Sequence, residues 1–358
     1  MVGSTTERRV QEAVLRICAS RDDARTLRLR LLAEIGRAVG FDAYAWVLTD
    51  PETEVGCAPL ADVPCLPELP RLVRLRYLTA LNRWTTLTDP PVALLRDATG
   101  GDLSRSLLWR DLLSRHDVAD VASVVFRDRF GCWAFLELWR TGRRAFEPAD
   151  AAVLRRLVPP VTTALRGSQA RTFATAPSRD PLQPGPLVLL LSPDLEVVQQ
   201  TPGTADRLRL LVPRDDAGPP VPAGAYNVAA QLLAAEAGVD PAPPSARVHL
   251  AGGRWLTLHA ARLEDGGPRA ARDIAVTIEP TPPGERLSLF ARAWGLTPRE
   301  HLLLGLLAAG GDTREVAGQL NLSEHTVQDH LKSVFAKTGA HSRRALLARA
   351  LGGGAQLT

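Results

Sequence analysis

Lysine is nearly absent from this chain. Of 43 basic side chains only two are lysine, Lys332 and Lys337, and both lie in one short C-terminal stretch. Cysteine is scarce too. Cys18, Cys57, Cys65 and Cys132 show no C-x-x-C spacing and no histidine at a zinc-like distance, which argues against a disulfide framework and a structural metal. They read as thiols of a reducing compartment. No apolar run approaches the roughly 20 residues of a membrane span. The opening MVGSTTERRVQE is too polar for a signal peptide. The expected location is therefore cytoplasmic, with no membrane partner. Catalytic signatures are missing as well. G-x-x-x-x-G-K-[ST], G-x-S-x-G and H-E-x-x-H do not occur, so no phosphate-cradling loop, nucleophile elbow or zinc-peptidase helix is expected. His249 and His259 lie on expected strands without a carboxylate at a telling spacing. No metal, cofactor or catalytic residue is expected.

What is present gathers at the C-terminal end. Thr297-Pro-Arg-Glu300 places a cap, a proline at the first helical position and a glutamate at the third. The apolar run Leu302 to Leu307 follows and Gly310-Gly311 stops it. Asp312 with Glu315 opens a second helix, whose stripe is Val316, Ala317 and Leu320. Asn321-Leu322-Ser323 is a tight turn, and Ser323 caps a third helix that Gly339 ends. Ser342 caps a fourth, rich in Leu and Ala. Two short helices across a tight turn make a helix-turn-helix, whose second helix can enter a DNA major groove. Helical spacing puts Val327, Leu331, Val334, Phe335 and Thr338 inward and His325, Gln328, Asp329, Lys332 and Ala336 outward. A merely solvated helix face is the competing reading of that outward stripe. From Phe290 onward basic side chains exceed acidic ones by three, most of the chain's net +4. The positive charge therefore sits where phosphate neutralisation would use it.

LTPRE and REVAGQLNLSEHTVQDHLKSVFAKTGAHSRRALL resemble the DNA-binding domain of the LuxR/NarL-type transcriptional regulators, over about the last sixth of the chain. Glu300, Glu315, Ala317, Leu320, Ser323, Thr326, Val327, His330, Lys337 and Arg343 stand where that family's motif has the same residues. The resemblance implies DNA contacts from Thr313, Arg314, Ser323, His325, Thr326, Gln328, Asp329, Lys332, Lys337 and Arg343. One departure stands out: many members carry Lys or Arg mid-helix, where this chain has Gln328 and Asp329. The fourth helix offers a small apolar stripe, Leu346, Leu347, Ala350 and Leu351, as the expected dimer interface.

The longer N-terminal part reads as helices over 7–20 and 24–39, then a strand over 41–48. A loop to about Pro70, helices over 71–82 and 103–113, strands over 121–127 and 132–140, and a helix over 148–165 follow. The strand over 132–140 is apolar on both faces, as a central strand would be. This order resembles a GAF domain. Tyr77, Trp84 and Trp109 are candidates to line a pocket, although aromatics at helical spacing are more often core. After a Pro- and Ser-rich stretch come strands over 187–191 and 196–200, helices over 205–211 and 226–237, and strands over 246–250, 255–262 and 273–278. That order resembles a PAS domain. The expected organisation is a GAF-like sensor domain (1–167), a linker (168–186), a PAS-like domain (187–280), a helical connector (281–293) and a helix-turn-helix domain (294–353). The fold class is two α+β sensor domains followed by an all-α four-helix domain.

The function expected is bacterial transcription regulation, by a homodimer on double-stranded DNA with an inverted repeat. A small-molecule or protein signal and RNA polymerase are the further partners this reading admits. A signalling enzyme with a regulatory tail and a protein-interaction module are the alternatives.

Overall fold

Apolar spacing builds the first two helices. α1 (Val2–Cys18) buries Val10, Val14 and Ile17, and α2 (Ala24–Ala38) buries Leu27, Leu31, Leu32 and Ile35. The Asp23 carboxylate caps α2, accepting from the Arg25 and Thr26 amides at 2.8 and 2.9 Å. The computed structural model describes residues 2–174, 187–204, 223–250, 254–263 and 272–352.

β1 (Ala43–Thr49) follows, then β2 (Gly56–Asp62), paired antiparallel with it. β2 corrects the expectation of a loop up to Pro70. It carries Pro59, which ordinarily argues against a strand, but it lies at the sheet edge, where a missing N–H is tolerated. α3 (Leu69–Leu78) precedes two short elements that periodicity did not reveal, β3 (Val92–Leu94) and α4 (Leu95–Ala98). The helix expected over 103–113 is broken into α5 (Leu107–Asp111) between two short 3-10 turns. Ser106 makes the break, its hydroxyl accepting from the Trp109 amide to start α5 afresh.

β4 (Val118–Asp128) and β5 (Gly131–Thr141) form a long hairpin. Gly131 has φ +150°, and a Cβ there would lie 2.3 Å from the Pro51 carbonyl oxygen. The strand order is β2-β1-β5-β4-β3, so β5 is central and buried along both faces, as its composition predicts. Glu137, the one acidic side chain in that strand, is itself buried and pairs with Arg76 at 2.5 Å.

α6 (Pro148–Thr172) is longer than expected. Its sequence reads as linker from Ser168, yet Ala170 is buried, and so is Phe173 just beyond the helix end. The Phe173 ring stacks on Trp255 at 5.2 Å and meets Phe290 edge-on at 5.4 Å. Burial of this end, invisible to local composition, keeps the segment helical.

The second sheet is built from β6 (Leu187–Leu191), β7 (Val197–Gln200), β8 (Ser245–Leu250), β9 (Arg254–Arg262) and β10 (Ile274–Pro280). Their order is β7-β6-β10-β9-β8, the order of the first sheet repeated. α7 (Ala223–Glu236) is inserted before β8 and buries Val228, Leu232 and Leu233. The helix expected over 205–211 and the linker beyond Ala174 lie outside the described residues. The C-terminal helices are α8 (Pro283–Ala293), α9 (Pro298–Ala308), α10 (Thr313–Leu320), α11 (Glu324–Thr338) and α12 (Arg343–Leu351). Among the described residues no helix is long and apolar enough to cross a membrane.

The chain divides into two compact units. The larger comprises Met1–Leu165, Gly185–Val248 and Thr257–Glu279; the smaller comprises Arg166–Pro184, His249–Leu256 and Pro280–Thr358. The larger unit thus holds strands of both sheets, and buried charges tie its parts together. Arg247 of β8 meets Asp50, after β1, with two bonds of 2.6 and 2.7 Å, and Asp50 is wholly enclosed. Arg83 binds Asp240 at 2.8 Å and Gln231 of α7 at 3.0 Å. The same guanidinium lies 4.5 Å from the centre of the Trp84 ring, which stacks on Phe135. Tyr77 and Trp84 are both buried, and the Trp109 indole N–H is taken up by the Val118 carbonyl at 2.8 Å.

Candidate nucleic-acid interface

Local chemistry sets the start of each of the four helices α9 to α12. Thr297 and Glu300 form a reciprocal capping box at α9, and Asp312 and Glu315 form another at α10. Ser323 accepts from the Thr326 amide at 3.1 Å to start α11, and Ser342 accepts from the Ala345 amide at 3.1 Å to start α12. Asn321, at φ +52°, ends α10 in the left-handed conformation and turns the chain directly into Ser323. The interval from Leu320 to Glu324 is the tight turn of a helix-turn-helix.

Burial orients α11. Val327, Leu331, Val334 and Thr338 are buried and Phe335 is half-buried. The opposite stripe, His325, Gln328, Asp329, Lys332 and Ala336, is exposed along its length. Within it the Asp329 carboxylate accepts from Lys332 at 3.1 Å and faces His325 at 3.6 Å. The hydrogen bond from Lys332 holds the Asp329 carboxyl below its ordinary range. At neutral pH the stripe therefore carries a carboxylate and a cation side by side, both open to solvent.

The remaining expected contacts fall into two groups. Thr313 and Arg314 stand at the first turn of α10, half-buried and exposed. Ser323 is exposed and Thr326 half-buried, so the cap that starts α11 also faces outward. Lys337 and Arg343 are engaged inside the fold. Lys337 donates to both oxygens of Glu300, at 2.8 and 2.6 Å, and the Ser333 hydroxyl adds a bond of 2.7 Å. Burial alone would raise the Glu300 carboxyl. The hydrogen bonds from Lys337, Ser333 and the Thr297 amide outweigh it and hold that carboxyl at about 2.

Arg343 belongs to a pattern that spacing did not reveal. Its guanidinium donates to the Gly311 carbonyl at 2.5 Å and the Leu307 carbonyl at 3.4 Å, at the end of α9. Arg299 donates to the Leu320 carbonyl at the end of α10. Arg349 donates to the Thr338 carbonyl at the end of α11, at 3.0 Å, and Arg286 to the Arg349 carbonyl near the end of α12, at 3.2 Å. Each of the four helices thus has acceptors at its N-terminus and an arginine at its carbonyl end, as the helix dipole favours. These arginines lie between 11 and 63 residues from the carbonyls they meet, so no local signal marks them. Exposed positive charge is left chiefly to Arg314, Lys332 and Arg344.

This constellation has a counterpart among known proteins. Residues 295–350 match the family model described as bacterial regulatory proteins, luxR family. The match spans α9 to α12 almost completely. A protein of Streptomyces halstedii named "Probable HTH-type transcriptional regulator GfsR" is 33% identical over 86 residues, 23% of this chain. The matched stretch spans about a third of that relative's length, 35%. Helices α9 to α12 are thus a luxR-type helix-turn-helix. Among the described residues no group of His, Cys, Asp and Glu could hold a metal ion.

Proposed function

We propose that the chain is a transcriptional regulator that reads duplex DNA with α11 of its luxR-type helix-turn-helix. The observation that carries the reading is the exposed stripe from His325 to Ala336 on a helix whose opposite face is buried and whose start is fixed by a tight turn. Gln328 can give adenine a donor and an acceptor together. An ionised Asp329 only accepts and matches the cytosine amino group. Lys332, Arg314 and Arg344 supply charge for phosphates. The sheet-bearing region then acts as a sensor of GAF- and PAS-like kind and regulates rather than catalyses. Two sheets of one strand order, tied by Arg247–Asp50 and Arg83–Asp240, support such a paired sensor.

Binding of the full chain to duplexes enriched from a random pool tests this. Affinity should fall as salt rises, with a log–log slope of about −0.9 per phosphate neutralised. Lys332→Ala should weaken binding to every sequence and make the slope shallower by about one phosphate. Affinity independent of salt, or no enrichment of any sequence, refutes the reading.

A further inference from the structure

The stripe expected to join two copies is covered within the chain itself. Leu346, Leu347 and Ala350 are buried and Leu351 is half-buried, and the most extensive packing of α12 among the described residues is on α8. α8 (Pro283–Ala293) precedes residues 295–350, so this cover lies outside the stretch that matches the luxR-type family. One side chain fixes it. Arg286 of α8 is 4% exposed and donates to the Arg349 carbonyl at 3.2 Å. It also lies so close to Gly352 that a Cβ there would approach its Nε to 3.1 Å. Its other face rests on the Phe173 ring, 4.9 Å from the ring centre, at the end of α6. The arginine that caps α12 is therefore the one that holds the end of α6.

We propose that α8 is a built-in clamp on α12, locked by Arg286, and that withdrawing it frees the Leu346-Leu347-Ala350-Leu351 stripe to pair with the same stripe of a second copy. The physical logic is competition for one apolar surface. While α8 covers the stripe, a second copy has too little apolar area to gain, and association is weak. The guanidinium gives the lock two separate handles, a carbonyl on α12 and an aromatic face on the end of α6. A shift of that end relative to α8 removes one support of Arg286 and loosens the other. The role of the freed stripe rests on the DNA-binding reading above; the clamp itself does not.

The test uses the full chain with Leu351→Cys as a reporter on the half-buried edge of the stripe. With an added mild oxidant such as oxidised glutathione to take up the two electrons, a disulfide between copies at position 351 forms only when two α12 helices meet. With Arg286→Ala the cross-link should form at least tenfold faster than in the reporter chain alone. Gly352→Ala presses on Arg286 without deleting it, at a position whose φ is +79°, and should act in the same direction. It decides the matter should Arg286→Ala fail to fold. Binding to a selected duplex is measured separately on the same proteins. Faster cross-linking without duplex binding supports the clamp and removes the DNA reading. Duplex binding with cross-linking unchanged in the folded variants overturns the clamp.

Discussion

Lys337, one of the residues expected on DNA, donates to both oxygens of Glu300 in the free chain. In Lys337→Met the methylene stem is kept and the charge removed. Glu300 is 4% exposed, so its carboxylate is left enclosed with only Ser333 and the Thr297 amide as donors. Stripping one partner from a fully enclosed ion pair costs about 3–5 kcal/mol. Lys337 keeps 33% of its side-chain surface, so solvent screens part of the interaction and about 2 kcal/mol is expected. That is about thirtyfold in the equilibrium for opening α9 and α11. Hydrogen exchange of the amides from Leu303 to Leu307 and from Leu331 to Phe335 reads this locally, undisturbed by the larger unit. The sign with pH follows from Glu300, held at about 2 against an ordinary 4.5. A lowered pKa stabilises fully above the unfolded value, and the contribution fades as pH falls through 4.5 towards 2. The wild-type protection should therefore weaken over that interval, and Lys337→Met should weaken less. The salt slope of DNA binding should not change. A shallower slope with unchanged exchange would show that Lys337 meets phosphate and that the buried pair is not what holds α9 to α11.

Three further outcomes are expected. Asp329→Ala should release Lys332 from its carboxylate, leaving affinity for DNA similar or higher while relaxing discrimination at one base pair; identical preferred sites from a random pool would show that Asp329 reads nothing. Arg247→Ala should leave the enclosed Asp50 without its cation and destabilise the larger unit by about 3–5 kcal/mol, measured by denaturant unfolding. A loss below about 1 kcal/mol would show that the contact is not a structural tie. The four cysteines should resist alkylation at neutral pH, because burial pushes Cys18 and Cys65 up to about 11 and Cys57 and Cys132 to about 12. Rapid modification of the folded chain would contradict that.

The two parts of the molecule were legible to different degrees. At the C-terminus the expected caps Thr297, Asp312, Ser323 and Ser342 are the ones that form, because capping is a bond between a side chain and an amide two or three residues away. The inward and outward stripes of α11 followed for the same reason, since helical period is a local property. In the sheets, the strands with strong apolar runs were readable, among them β4, β5, β6 and β9. The edge strand β2 was not, because Pro59 and Gly56 are acceptable there only through its position in the sheet. β3 and α4 were too short to show a period.

Sequence by itself therefore determined which helices form at the C-terminus, where each begins, and which side of α11 faces out. Every one of those features depends on residues within one or two turns of each other. Tertiary structure alone decided where the charge goes. Lys337, Arg299, Arg343, Arg349 and Arg286 look alike in sequence as a basic end, yet each meets a carboxylate or a helix carbonyl from a distant part of the chain. The same holds for the α12 stripe, whose apolar spacing is equally suited to a second copy or to α8. Which surface an apolar stripe covers, and which acceptor a guanidinium finds, depends on packing between segments that no local pattern encodes.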